Sequence, residues 1–277
     1  MESINRILML PEFVSRGVKL LVSFLKKIFR RDEFGVSWWE SKRLERSPKL
    51  AHTHAHLLGR RITLTDASWY LFSYREIFKE EIYRFNIDSP SPLIIDCGAN
   101  IGLSLIYFKH LYPDARIVAF EPDGEIFGIL EQNIKTFHFK NITLYAKAVW
   151  TSETELSFQP DGAVGGRLTQ DGAINVKTLR LKNFINQKVD FLKIDIEGAE
   201  YEVLKDCKDY LGNVDHLFVE HHGNQNAEEN LNEILQIIRN AGFRYYLKEA
   251  SPVKHPFIRQ ERGVLYPLQL NIFAFRN

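Results

Sequence analysis

Long hydrophobic runs are missing from this 277-residue chain. No stretch of about 18 uncharged apolar residues occurs, which leaves out an ordinary membrane-spanning helix. Cysteine is scarce. Cys97 and Cys207 are the only two, so nothing suggests a disulfide-stapled scaffold, and a reducing, cytoplasmic setting is expected. Net charge is nearly absent: 36 basic against 35 acidic side chains leave +1 at pH 7. No whole-molecule field draws in a polyanion, and no nucleic-acid partner is expected. Internal repeats and low-complexity tracts are also lacking. What remains, with 45% hydrophobic and 26% charged residues, is a globular composition. It suffices for one large α/β domain with an extension.

The charge that is present is uneven. The first 31 residues carry Arg6, Arg16, Lys19, Lys26, Lys27, Arg30 and Arg31 against Glu2 and Glu12. After Pro11, the apolar residues Phe13, Leu20, Phe24 and Ile28 recur at helical spacing. Charges interrupt this stretch and no small-residue cleavage site follows, so a signal peptide is a poor match. Two readings stand for residues 12–31: a basic amphipathic helix lying on an anionic membrane surface, or a helix packed on the following domain or on a partner subunit. The expected division is an extension over residues 1–58 and a domain over residues 59–277.

From there the pattern alternates between short apolar runs and helical periods. Strands are predicted at 61–65, 93–96, 116–120, 142–149, 189–195, 216–220, 244–248 and 270–275. Helices are predicted at 69–85, 101–111, 125–137, 200–210 and 228–241. Strands separated by helices of this length imply an α/β fold with a mostly parallel sheet and helices on both faces. The last two strands have no clear helix between them, which predicts an antiparallel pair at the sheet edge.

In such a sheet, ligands collect at the carboxyl ends of the strands. The first end reads DCGANIG over residues 96–102. Gly98 and Gly102 let the backbone turn tightly and approach a ligand closely. A dinucleotide fingerprint starting at Gly98 needs glycine at 100 and 103. Asn100 and Leu103 stand there instead, which argues for a ligand without phosphates and against a nicotinamide cofactor. The next strand ends in AFEPD over residues 119–123. Glu121 there is placed to accept hydrogen bonds from ribose hydroxyls.

The stretches at 94–104 (IIDCGANIGLS), 119–123 (AFEPD) and 190–200 (DFLKIDIEGAE), with Glu76, Tyr83, Asn133 and the run 141–149, together resemble the FkbM family of methyltransferases. The resemblance covers about residues 60–222. It implies a Rossmann-like class I methyltransferase fold with a seven-stranded sheet. It also implies transfer of a methyl group from S-adenosyl-L-methionine, generally to a hydroxyl of a sugar or other natural product. By motif match, Asp96, Gly98, Ala99, Asn100 and Gly102 would surround the methionine and ribose portions. Glu121, followed by Pro122, would hold the ribose diol, and Ala148 would lie by the adenine.

Methyl transfer to an alcohol needs acceptor oxygen, methyl carbon and sulfur in line, and a group to receive the hydroxyl proton. Strand alternation puts Lys193 and Asp195 on one face. Asp195 reads either as an acceptor-binding group or base tuned by Lys193, or as half of a structural ion pair. For Lys193 the structural role is favoured. His221 and His222 end the next strand beside Glu220 and, being adjacent, point apart, so one of them can face the pocket. A rival arrangement, not the favoured one, has Asp195, Glu220 and one of these histidines bind a divalent metal ion. The alternating His52, His54 and His56 read as a surface segment, and the glycine-rich run 159–174 as a lid or a plain loop. Trp38, Trp39, Trp69 and Tyr70 read as core or as a sugar-stacking surface. The leading expectation is O-methylation of a saccharide, glycolipid or related natural product. An RNA ribose 2'-O-methyltransferase and a non-catalytic S-adenosylmethionine-binding regulator are the alternatives.

Overall fold

The computed structural model describes residues 32–160, 166–169, 171–223, 230–250, 255 and 268–276. The helix expected over 12–31 lies outside them, as do residues 161–165 and 170 of the glycine-rich run. The chain divides into two compact units, Met1–Leu71 and Phe72–Asn277.

In the first unit, α1 (Trp38–Glu45) starts where Ser37 accepts a hydrogen bond from the Glu40 N–H. An antiparallel hairpin follows, β1 (Thr53–Leu57) on β2 (Arg60–Leu64). Its alternate residues Ala55, Leu57, Ile62 and Leu64 are buried together with Leu44. The boundary expected after residue 58 falls at the tip of this hairpin, where pairing holds both sides in one unit. His52, His54 and His56 occupy the exposed positions of the segment. The Asp66 carboxylate accepts from the Ser68 and Trp69 N–H groups and opens α2 (Ala67–Tyr74).

The single helix expected over 69–85 is shorter. After Tyr74 the chain widens into a π-helical turn, Arg75–Lys79, closed by the Glu80 N–H on the Arg75 carbonyl at 2.9 Å. Glu81 then takes a left-handed conformation (φ 51°) and ends the helix. That exit lets Tyr83 and Phe85 drop onto the sheet, where their rings meet Phe108, Phe191 and Phe218.

Alternation of strand and helix follows as expected: β3 (Leu93–Cys97), α3 (Leu103–Leu111), β4 (Arg116–Phe120), α4 (Gly124–Phe137) and β5 (Ile142–Tyr145). The strand expected over 142–149 is two strands. β6 (Ala148–Trp150) leaves the main sheet and pairs with β9 (Ile174–Arg180). With β7 (Glu155–Gln159) and β8 (Arg167–Leu168), these form a four-stranded sheet in the order β6-β9-β7-β8, packed around Phe158. The main sheet resumes with β10 (Val189–Ile194), α5 (Glu200–Cys207), β11 (Val214–Gly223), α6 (Leu231–Asn240), β12 (Arg244–Glu249) and β13 (Leu268–Phe275).

The seven strands lie in the order β12-β13-β11-β10-β3-β4-β5. β3, β4, β5, β10 and β11 are parallel, while β13 runs antiparallel between β11 and β12. Ile95, Cys97, Leu192, Ile194, Leu217 and Val219 point to one face and pack on Val203 and Leu204 of α5 and Ile234 and Ile238 of α6. Phe191 points to the other and meets Phe108 of α3. The fold is therefore the expected doubly wound α/β sheet. Its strand order reverses between β3 and β10, which opens a crevice at their carboxyl ends.

Candidate active site

The two sides of that crevice are built by unlike chemistry. On the β3 side, Gly98 (φ 94°) and Gly102 (φ 93°) bracket a tight bend in which Asn100 also takes a positive φ of 46°. The Gly98 and Ala99 N–H groups donate to the Phe120 carbonyl at 3.1 and 2.9 Å, tying the bend to the end of β4. A Cβ on Gly98 would stand 1.9 Å from the Asp195 carbonyl oxygen, and one on Gly102 would stand 2.7 Å from Leu130 of α4. The glycines thus serve close backbone packing as much as access. Asn133, buried on α4, donates to the Ile101 carbonyl at 3.0 Å and braces the same bend.

Glu121 leaves the end of β4 directly beside it. Its Oε2 accepts from the Asn100 N–H and its Oε1 from the Asp123 N–H, both at 3.0 Å. Each oxygen keeps a further lone pair, enough to receive one hydroxyl apiece. Burial pushes this carboxyl up to about 7, against the lowering by those two N–H groups. The half-buried Pro122 follows, and Asp123 caps α4 through the Glu125 and Ile126 N–H groups. Ala148 is buried at the start of β6.

Asp96 differs from the expectation. Its carboxylate is fully buried, accepting from Ser104 and facing Lys193 at 3.2 Å, so it braces the bend from beneath instead of lining the crevice. The Lys193 ammonium also donates to the Gly98 carbonyl at 2.8 Å and pairs with Asp195 at 3.0 Å. Burial alone would lower its pKa, but Asp195 and Asp96 hold it well above its ordinary value. One cation thus joins the glycine bend of β3 to the acid at the end of β10.

On the β10 side the groups are acidic. Asp195, Glu220 and His222 bring one ligand-type atom each within 4.8 Å of one another. Burial and then Asp195 push Glu220 up to about 8. Glu76, from the π-helical turn, is pushed up to about 7 by burial, with Asp195 adding to the shift. His222 Nδ1 lies 3.1 Å from Glu200, and its Nε2 lies 3.5 Å from Glu197 and 3.7 Å from Glu220. Burial opposes its charge, yet Glu200, Glu197 and Glu220 hold its pKa well above the usual histidine range. Glu200 additionally accepts from the Ile196 and Gly198 N–H groups, so it wraps the loop after β10. His221, adjacent to His222, is turned to the opposite face by strand alternation and leaves the cluster. Of the two candidate histidines, His222 is the one that lies beside Asp195 and Glu220.

Register extends this chemistry across the sheet. Asn271 of β13 stands opposite Glu220 and opposite Lys248 of β12, so their side chains share a face. Lys248 pairs with Glu80 at 2.6 Å. Glu76, Glu200 and Asn271 were not read as site residues from sequence. The available signal for Asn271 was a lone polar position on the buried face of an apolar strand.

The crevice thus has a glycine bend and the Glu121 carboxylate on its β3–β4 side and an acidic cluster with His222 on its β10–β11 side. The family profile described as Methyltransferase FkbM domain matches residues 96–245. The chain is similar to methyltransferase sdnD of Sordaria araneosa, 29% identical over an alignment of 181 positions that covers 48% of this chain and 67% of that one. It is also similar to hexuronic acid methyltransferase AglP of Haloferax volcanii, 25% identical over an alignment of 186 positions that covers 64% of this chain and 75% of that one. The crystal structure of methyltransferase FkbM from Methylobacillus flagellatus superposes with a TM-score of 0.47 at 18% identity, covering 72% of this chain and 46% of that protein. With more than half of its residues inside the family profile, this chain belongs to the FkbM methyltransferase family.

Proposed function

We propose that the chain is an S-adenosyl-L-methionine-dependent O-methyltransferase acting on a hydroxyl of a saccharide, glycolipid or related natural product. The observation that carries this reading is the placement of Glu121 and Asp195 on either side of the strand-order reversal, linked through Lys193 and the Gly98 bend. Family membership supports the methyl donor, and the similarity to AglP, a hexuronic acid methyltransferase, supports a sugar-like acceptor.

When bound, S-adenosyl-L-methionine supplies a methyl group already activated on a sulfonium. The chain's own part is positioning and proton removal. Glu121 would hold the ribose diol, and the Gly98–Gly102 bend would lie against the methionine portion. Asp195 would orient the acceptor hydroxyl. As the methyl group is transferred, Asp195 would receive the proton of the acceptor hydroxyl. Lys193, 3.0 Å away, would hold the Asp195 carboxylate in place.

Release of S-adenosylhomocysteine with a panel of hexuronic acids and glycolipids tests the assignment. Asp195→Asn is expected to lower kcat by roughly a hundredfold or more with cofactor affinity unchanged. Full turnover in that variant would remove Asp195 from the chemistry.

The carboxyl of Glu121 adds a pH signature. Ribose hydroxyls donate to its ionised form, so its proton must leave on binding. With the free carboxyl at about 7, affinity for S-adenosylhomocysteine is expected to fall about tenfold from pH 8 to pH 6. Titration calorimetry at both values, with Glu121→Gln as a pH-flat comparison, checks this. An equally flat profile in the parent protein would count against the ribose contact.

A further inference from the structure

We infer that Asp195, Glu220 and His222 form a binding site for one divalent first-row cation of the manganese type, at the acceptor end of the crevice. Their three ligand atoms all lie within 4.8 Å of one another. Small side-chain rotations close such a span around an ion at the usual bond lengths of about 2.0–2.2 Å. The backbone beneath is fixed, because β11 is paired on both sides, to β10 and to β13. Glu220 and His222 are two apart on β11 and therefore share a face.

Three further features point the same way. The first is the contact between His222 Nδ1 and Glu200 at 3.1 Å. Glu200 is itself buried and held by the Ile196 and Gly198 N–H groups at 3.1 and 3.0 Å. A carboxylate that accepts a hydrogen bond from Nδ1–H leaves Nε2 free to face an ion, as in the carboxylate–histidine pairs that orient metal ligands. The second is charge. Glu76, Asp195, Glu197, Glu200 and Glu220 converge here, while Lys193 is shared with the buried Asp96. A partly buried excess of carboxylates is stabilised by a cation. The third is Asn271. It is 1% exposed, stands opposite Glu220, and neither of its amide atoms has a hydrogen-bond partner among the described residues. Such a group beside the cluster suits a polar occupant.

One imidazole and two carboxylates favour manganese, zinc or iron over calcium, and three protein ligands leave coordination positions open. On the reading proposed above, an acceptor hydroxyl takes one of them. Its proton would then leave more readily.

The test uses the full chain, stripped with EDTA and titrated with manganese chloride alone. Free ion is read from its six-line paramagnetic resonance signal, and the thermal shift given by S-adenosylhomocysteine is measured in parallel. One ion per chain is expected to saturate at micromolar concentration. Glu220→Gln and His222→Gln should each weaken it at least tenfold while the thermal shift persists, and Glu200→Gln should weaken it about tenfold through the histidine it orients. No saturation through millimolar concentration overturns the cation site, as does saturation unchanged in both ligand variants. A persisting thermal shift in that case leaves the methyl-transfer reading in place. Manganese binding without any response to S-adenosylhomocysteine supports the cation site and removes the methyl-transfer reading instead.

Discussion

Lys193→Met is expected to lower the melting temperature by roughly 10 °C, through a loss of about 3–5 kcal/mol of stability. The Lys193 side chain is 4% exposed and that of Asp96 is fully buried, with 3.2 Å between ammonium and carboxylate. Methionine preserves the length and apolar stem of the side chain but removes its three donors. Asp96 keeps Ser104 alone, the Gly98 carbonyl loses its donor, and Asp195 loses its partner. An uncompensated buried carboxylate dominates the cost. Combining Lys193→Met with Asp96→Asn should therefore recover part of the loss, because the neutral amide no longer needs a cation. Circular-dichroism melts of the parent, the two single variants and the double variant measure the coupling. A Lys193→Met midpoint within 2 °C of the parent (less than about 1 kcal/mol) would show that the cation does not brace the crevice.

Gly98→Ala is the second large effect, with an expected loss of about 3 kcal/mol or more together with cofactor binding. The added carbon would sit 1.9 Å from the Asp195 carbonyl oxygen, a backbone atom that no rotamer change can move aside, and the residue holds φ at 94°. Relief requires the carboxyl ends of β3 and β10, paired at Cys97 and Ile194, to separate. Separation also pulls the Gly98 carbonyl away from Lys193 and the bend away from Glu121. Gly128→Ala in α4 is the contrast. A carbon there meets nothing within 4 Å, and alanine in a helix should stabilise by about 0.5–1 kcal/mol. Thermal melts with and without S-adenosylhomocysteine should separate the two glycines in opposite directions. Equal stability in both variants would refute the close approach.

The strands that build the crevice were legible because each is a short apolar run ending in chemistry. β3 stops at a glycine bend, β4 at Glu121, and β10 at Asp195. Local signals failed where the partner is distant. The run 142–149 reads as one strand, yet Ile142–Tyr145 pairs with β4 and Ala148–Trp150 with β9. Nothing between Tyr145 and Ala148 announces that the chain changes sheets. The helix over 69–85 was overextended because its aromatic period continues through the π-helical turn to Glu81, whose left-handed backbone is not written in its side chain. Within the site, Lys193, Asp195, Glu220 and His222 could be nominated from alternation and strand position. Asp96 looked equally suited to a ligand, and its depth beside Ser104 could not be read from its position in the motif. Glu200 was masked by its place in the first turn of α5, where an acidic residue suits the helix dipole without any further role. His221 and His222 were indistinguishable until the register of β11 assigned their faces.

The antiparallel strand β13 carries a consequence for assembly. It follows β12 in the chain, yet it lies inside the sheet, between β11 and β12. Until it has been synthesised, β12 has no neighbour in the sheet, and the ten-residue edge of β11 stays open. An unpaired edge of that length recruits other chains. Late insertion of β13 therefore both closes the sheet against aggregation and delivers Asn271 beside Glu220. Placement of Asn271 and protection of the β11 edge are thus one folding event.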